Sequence, residues 1–286
     1  MTTTIPIEFP TNWTDYQLLD SGEGEKLESF GGYKIVRPDP RVIWSKGKPS
    51  SEWQSADAIF VDDRWNYKKN PPKPWQISYK NLKFNLRPTD FRHVGIFPEQ
   101  AVNWDWLGKV INGKPLKVLN LFAYTGSATI AATQAGAKVT HVDGSKGIIS
   151  WAKENALLSG LTSDAIRWIE DDALKFVIRE QRRSATYDGI ILDPPRFGHG
   201  AKGEIWKLEK DLRKLLLACK VILSPNSKFV LMSVYTADLS AIAVGQLFTS
   251  VLGSLGGKSE SMEIAIKENN SDRLLPSGIV ARWSGV

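Results

Sequence analysis

Two patterns of apolar and polar positions divide the chain near residue 95. Over residues 15–94, short apolar runs such as 33–37 and 58–61 are separated by Gly, Pro and Asp clusters, and no helical period is sustained. This predicts short strands and turns. From Lys117 onward, apolar runs at 117–122, 139–143, 165–169, 187–192 and 228–233 alternate with helix-period segments at 128–135, 148–159, 176–183, 204–223 and 239–252. Residues 260–267 and 279–283 then pair as a final hairpin. Alternation of this kind predicts an α/β fold, with a mostly parallel seven-stranded sheet covered by helices on both faces and closed by an antiparallel hairpin. The expected organisation is a small β-rich N-terminal domain, 1–94, followed by a Rossmann-like domain, 95–286.

Length and composition narrow the class further. A chain of 286 residues has room for one large domain and a smaller one, and 42% hydrophobic with 24% charged residues is a soluble, globular composition. The longest apolar stretches, such as 215–223, fall well short of the roughly 20 residues that span a bilayer. The first residues lack a basic segment followed by an apolar one, so a cytoplasmic protein is expected. One cysteine and three histidines leave too few soft ligands for a structural zinc site, and no metal is expected. The net charge of +6 is compatible with a phosphate-bearing partner. Basic residues concentrate between Lys175 and Lys220, including Arg179, Arg182, Arg183, Arg196, Lys202, Lys207, Lys210, Arg213 and Lys214. A solvated helix face and an RNA-facing patch both account for them. Trp44, Trp53, Trp65, Trp75, Tyr67 and Tyr79 form either the core of the β-rich domain or a platform on which bases stack.

Candidate chemistry sits at the ends of the predicted strands, the edge at which open α/β sheets bind ligands. The turn after the first strand contains Gly126, which permits close backbone approach, and a helix N-terminus favouring a carboxylate. Asp143 ends the second strand about 20 residues later, where it can accept from both ribose hydroxyls of an adenosine; Ser145 can cap the next helix. Asp172, beside Ala173, sits where an adenine amino group would lie, or else caps its own helix. After the fourth strand come Asp193, Pro194 and Pro195. The two prolines hold an extended turn and remove its amide donors, leaving carbonyls able to accept from a target amine. Glycines spaced Gly-x-Gly-x-x-Gly are absent, which disfavours a nicotinamide oxidoreductase.

Asn120-Leu-Phe-Ala-Tyr-Thr-Gly-Ser127, the run from Trp151 to Asn155, Asp172-Ala173 and Asp193-Pro-Pro-Arg-Phe197 resemble the class I S-adenosylmethionine-dependent methyltransferases related to the bacterial enzymes that methylate 23S ribosomal RNA on cytosine C5 or guanine N7. The terminal antiparallel hairpin is a feature of that class. The run His93 to Gln100 is similar to the family's Gly-x-Phe loop, which folds over the cofactor and brings in Phe97 and Gln100. The resemblance implies S-adenosyl-L-methionine as cofactor, with Phe122, Ala123, Tyr124, Thr125 and Gly126 around its methionine part, Asp143 and Ser145 at the ribose, and Asp172 and Ala173 at the adenine. Asp193, Pro194 and Pro195 would face the methyl group and the substrate, with Arg196, Phe197 and Tyr235 as substrate contacts and His199 as a further candidate. The cytosine C5 branch places a nucleophilic cysteine after the fifth strand; here that stretch reads Leu231 to Tyr235 without one. Cys219, in a leucine-rich helix, reads as a small buried residue. A nucleobase nitrogen of RNA is therefore the expected target. A small-molecule or protein methyltransferase and a catalytically silent binding module are the alternatives.

Overall fold

The computed structural model describes residues 4–162, 164–199, 205–235 and 238–285, with only the backbone of residue 199. The chain divides into two compact units: Phe9–Ala101 with Ala265–Ser277, and Met1–Glu8 with Val102–Ile264 and Gly278–Val286.

The larger unit is built on an eight-stranded sheet of β1 (Ile7–Glu8), β2 (Lys117–Leu121), β3 (Lys138–Asp143), β4 (Ile166–Glu170), β5 (Gly189–Leu192), β6 (Phe229–Val234), β7 (Lys258–Lys267) and β8 (Leu274–Ser284), in the order β1-β7-β8-β6-β5-β2-β3-β4. Strands β4, β3, β2, β5 and β6 run parallel, and β8 is antiparallel to β6. An eighth strand thus joins the seven expected. β1 is only two residues long, too short to leave a pattern, and lies parallel to β7.

Successive strand residues face opposite sides of a sheet. Leu119, Ile190, Leu192, Val230 and Met232 enter one core, with Phe176, Leu212, Leu215 and Phe248 from the covering helices. Val118, Ile191, Phe229 and Leu231 enter the other, with Leu107, Ile111 and Ala132. Burial on both faces is why these strands read as continuous apolar runs. The helices are α1 (Ala101–Ile111), α2 (Ser127–Gln134), α3 (Lys146–Leu158), α4 (Ala173–Arg182), α5 (Leu208–Val221) and α6 (Ala241–Leu252). One boundary is corrected. Residues 205–223 do not form one helix, because Ile205–Lys207 pairs antiparallel with Phe197–His199 and α5 begins only at Leu208. A β-branched residue and a tryptophan suit that strand. Lys202 and Glu204 lie outside the described residues.

The smaller unit holds a five-stranded sheet ordered Tyr16–Gly22, Glu25–Phe30, Tyr33–Pro38, Ala58–Val61 and Arg64–Tyr67, antiparallel except between the third and fourth. A five-residue helix, Ser50–Gln54, lies on the connection between that parallel pair, and a separate hairpin joins Gln76–Tyr79 to Leu82–Asn85. Trp53, Trp75 and Tyr79 are core residues, with the indoles of Trp53 and Trp75 donating to Asp20 (2.9 Å) and the Phe30 carbonyl (3.0 Å). Trp44 is half-buried and donates to the Ser21 carbonyl, while Trp65 and Tyr67 lie on the edge strand. Among the described residues, no helix is long and apolar enough to cross a membrane.

Candidate active site

Order in the sheet reverses at β2, which lies between β3 and β5, and the parallel ladders bring the strand ends level. Leu121 is paired with both Val142 and Leu192, Asp143 with Glu170, and Leu192 with Met232. The turn after β2, the carboxylate ending β3 and the diproline corner after β5 therefore leave the sheet side by side. Asp193 N–H donates to the Leu121 carbonyl at 3.3 Å.

Within the turn after β2, Phe122 (φ 54°), Tyr124 (φ 48°) and Gly126 (φ 87°) are left-handed. That conformation costs a side-chain-bearing residue about 1–2 kcal/mol, so the surroundings must hold it. Tyr124 N–H donates to Asp143 Oδ2 at 2.9 Å, Ala123 N–H to the Val142 carbonyl at 3.1 Å, and the buried Asn155 amide of α3 to the Thr125 carbonyl at 3.0 Å. Gly126 has a packing role as well: a Cβ there would stand 3.0 Å from that of Ala152. The run from Trp151 to Asn155 thus buttresses this turn, a role its sequence did not disclose.

Asp143 also accepts from Ser145 N–H through Oδ1 at 3.0 Å. Burial pushes its carboxyl above the ordinary value, against the pull of the Tyr124, Ser145 and Gly144 amides. Two carboxylate oxygens have about four acceptor positions, more than these amides occupy, and a hydroxyl can donate to what is left. Ser145 caps α3, its hydroxyl accepting from Ile148 N–H at 3.4 Å. Asp172 caps α4 through Oδ1, 2.8 Å from Lys175 N, and Ala173 is the first, buried residue of that helix.

Pro194 is buried and Pro195 exposed. The corner is locked by a residue that sequence reasoning missed. Trp206 donates from Nε1 to the Pro195 carbonyl at 2.6 Å, and its ring lies 5.4 Å from that of Phe122. The Arg196 carbonyl accepts from Leu208 N–H at 2.9 Å, so two carbonyls of this corner are already engaged. Arg196 itself pairs with Glu209 and Asp238. Phe197 is 51% exposed, on the hairpin face opposite Trp206. Tyr235, half-buried, directly follows β6. Ser233 is buried and accepts from the Asn103 amide at 3.4 Å. Cys219 is buried in α5, where burial pushes its thiol up.

Phe97 and Gln100 belong to the smaller unit. Phe97 precedes a single 3-10 turn, Pro98–Gln100, that ends in Gln100, whose N–H donates to the Phe97 carbonyl; the Phe97 ring lies 5.1 Å from His93. In the basic segment, Arg179 pairs with Asp171 and Arg183 with Glu180, whereas Arg182, Lys210, Arg213 and Lys214 are exposed.

A left-handed turn, a strand-end carboxylate and a diproline corner thus leave one edge of a doubly wound sheet together, the edge at which enzymes of this class bind their ligands. Residues 61–245 match the family model described as S-adenosylmethionine-dependent methyltransferase, and the chain belongs to that family. Its methyl donor is S-adenosylmethionine. A crystal structure of an S-adenosylmethionine-dependent methyltransferase from Agrobacterium tumefaciens is 42% identical, covers 100% of this chain and 98% of its own, and superposes with a TM-score of 0.93. The Ribosomal RNA large subunit methyltransferase K/L of Shewanella frigidimarina is 37% identical over 150 residues, 52% of this chain and 20% of that protein. Its Vibrio cholerae counterpart is 34% identical over 157 residues, 54% of this chain and 22% of that protein. The chain thus matches about a fifth of the length of these curated relatives.

Proposed function

We propose that this chain transfers a methyl group to a nucleobase nitrogen of RNA, of the ribosomal kind named for its Shewanella and Vibrio relatives. The observation that carries the reading is the level meeting of three strand ends, through the pairing of Leu121 with Val142 and with Leu192. Residues 122–126 would hold the methionine part of the donor, Asp143 and Ser145 the ribose, and Asp172 and Ala173 the adenine. When bound, S-adenosylmethionine supplies a methyl group on a positively charged sulfur. The chain then has to orient the nucleophile and exclude water. Asp193 and the Pro194 carbonyl are the acceptors assigned to the target N–H, with Pro195 fixing the turn. Phe197 and Tyr235 supply aromatic faces for the base, and Arg196 a cation beside it. Such a substrate goes with a cytoplasmic location. The absence of a cysteine between Leu231 and Tyr235 favours nitrogen over C5, which needs a thiolate added at C6.

Asp193→Ala should lower methyl transfer by about 100-fold or more, the usual loss when a positioned polar partner goes, while calorimetric affinity for the donor stays within about threefold. A fully active variant would remove Asp193 from this role. Transfer of radiolabelled methyl into fractionated cell extract checks the substrate, and label confined to protein or small molecules would overturn RNA.

A further inference from the structure

The smaller unit carries a surface to which the methyl-transfer chemistry gives no use. Residues 58–92 contain eight lysines and arginines against three aspartates, a surplus of five within a chain whose net charge is +6. The edge strand Arg64–Tyr67 and the two lysines after it place three of these cations beside aromatic rings, with Asp62 and Asp63 in the turn before the strand and Asp90 near Tyr67. Trp65 and Tyr67, two residues apart and on one face of the strand, hold nearly parallel rings, 17° between planes with centroids 6.3 Å apart.

Trp65 is anchored: its indole donates to the Thr89 carbonyl at 2.9 Å and its ring packs edge-on against Phe60. Tyr67 is 45% exposed. The Thr89 bond also draws in the loop 89–93, closed by Thr89 N–H to the His93 carbonyl, with Phe91 at its tip, 79% exposed. The backbone of Lys68 and Lys69 is pinned, both amides donating to the Asp57 carbonyl and the Tyr33 hydroxyl to that of Lys69. Arg64 and Lys69 are exposed and, among the described residues, have no carboxylate in ion-pair range.

Lysines on an edge strand commonly guard it against pairing with another sheet. That role accounts for the cations but not for solvent-facing aromatics on rigid backbone, which a guarded edge would dispense with. Cations that track phosphates, beside rings on which bases stack, are what single-stranded nucleic acid needs. Resting on the RNA reading above, we infer that the edge Arg64–Lys69, with Phe91, is a binding surface for single-stranded RNA, with Tyr67 stacking on a base and Arg64 and Lys69 meeting phosphates.

The test is fluorescence anisotropy of the full chain with a labelled single-stranded RNA of about twelve nucleotides, a length within the usual range of such sites. Tyr67→Ala should weaken binding roughly tenfold, and Phe91→Ala by less. Arg64→Glu with Lys69→Glu should weaken it further and make the salt dependence shallower by about 0.7 per lost phosphate contact. Trp65 is left intact because its anchoring bonds make its removal a folding experiment. Thermal unfolding and donor affinity should match the wild type in every variant. RNA affinity and salt slope unchanged in these variants, with the wild type binding RNA, would overturn this surface alone. Failure of the wild type to bind or methylate RNA would instead sink the substrate reading. Loss of an unrelated protein ligand, with RNA affinity intact, would also count against the proposal.

Discussion

The two units place their buried charge differently: in the larger unit it lies apart from the turn after β2, in the Arg282–Glu8 and Glu180–Arg183 pairs, and in the smaller unit it sits between strands of the sheet. Behind the turn after β2, where α2 and α3 pack on it, the larger unit uses neutral bonds. Asn155 holds the Thr125 carbonyl, and Asn120 donates to the Thr129 hydroxyl at 2.8 Å, which lies 3.0 Å from His141 Nδ1. The smaller unit uses charge. Glu28 and Arg37, both almost wholly buried, form a two-pronged pair with contacts of 2.7 Å, and Tyr16 donates to the same carboxylate. Burial acts against the Arg37 charge, but Glu28 outweighs it and holds the guanidinium above its ordinary value. Asp39, against Arg41 and Lys26, is held down to about 2 despite its own burial. A parallel sheet covered on both faces has apolar area enough to fix its position; a small antiparallel sheet makes its specificity partly from ions that must stay paired.

The largest expected effect breaks that pairing. Glu28→Gln removes the carboxylate hydrogen-bonded to the buried Arg37 charge, leaving only the influence of Glu99, and should destabilise the smaller unit by about 3–5 kcal/mol in denaturant unfolding. Replacing both partners, Glu28→Leu with Arg37→Met, should recover much of the loss. A single variant costing under about 1 kcal/mol would show that the pair contributes little.

This contrast also explains what could be read from the chain. The strands of the larger unit were legible because burial on both faces leaves continuous apolar runs. The strand-end positions of Asp143, Asp172 and Asp193 were legible because each closes or soon follows such a run. Trp206 was not: its partner Phe122 is distant in sequence, and it is aimed by a hairpin that a helical pattern over 204–223 concealed. The smaller unit was legible only as strands and turns. Glu28 lies in the polar-rich strand Glu25–Phe30 and looks like a surface residue until Arg37 and Tyr16 are brought to it. Ser21 and Glu268, hydrogen-bonded within that unit, come from opposite ends of the chain.

In the larger unit, Gly126→Ala tests whether the turn is set by packing. Alanine at a φ of 87°, with its Cβ 3.0 Å from that of Ala152, should cost about 2–3 kcal/mol and weaken donor binding in calorimetry. Wild-type values for both would mean that the turn yields where the structure holds it tight.

Each unit also keeps one histidine neutral. Burial, followed by Lys153, lowers His141 to about 3; burial, then Arg37, Arg92 and Lys26, lowers His93 to about 3. The unfolded chain takes up these protons near pH 6.5 and the folded chain only near 3, so stability falls as pH drops through that window. For the fully buried His141 the loss between pH 7 and pH 5 is about 1–2 kcal/mol, at 1.36 kcal/mol per unit with allowance for relaxation. His141→Gln, which cannot titrate, should flatten the larger unit's pH dependence. An unchanged slope would assign that dependence to other groups.

The smallest effect separates two duties proposed for one side chain. Asp172 caps α4 through Oδ1 and is assigned to the adenine of the donor. Asp172→Ala removes both functions and should cost about 1 kcal/mol of stability, read as a fall of a few degrees in Tm, along with donor affinity. Asp172→Ser retains an oxygen able to accept from Lys175 N–H, so Tm should return toward wild type while donor affinity stays several-fold lower. Affinity recovering in step with Tm would reduce Asp172 to a cap and leave adenine recognition to other groups at the end of β4, because an oxygen that serves only the helix is replaceable by any residue that caps it.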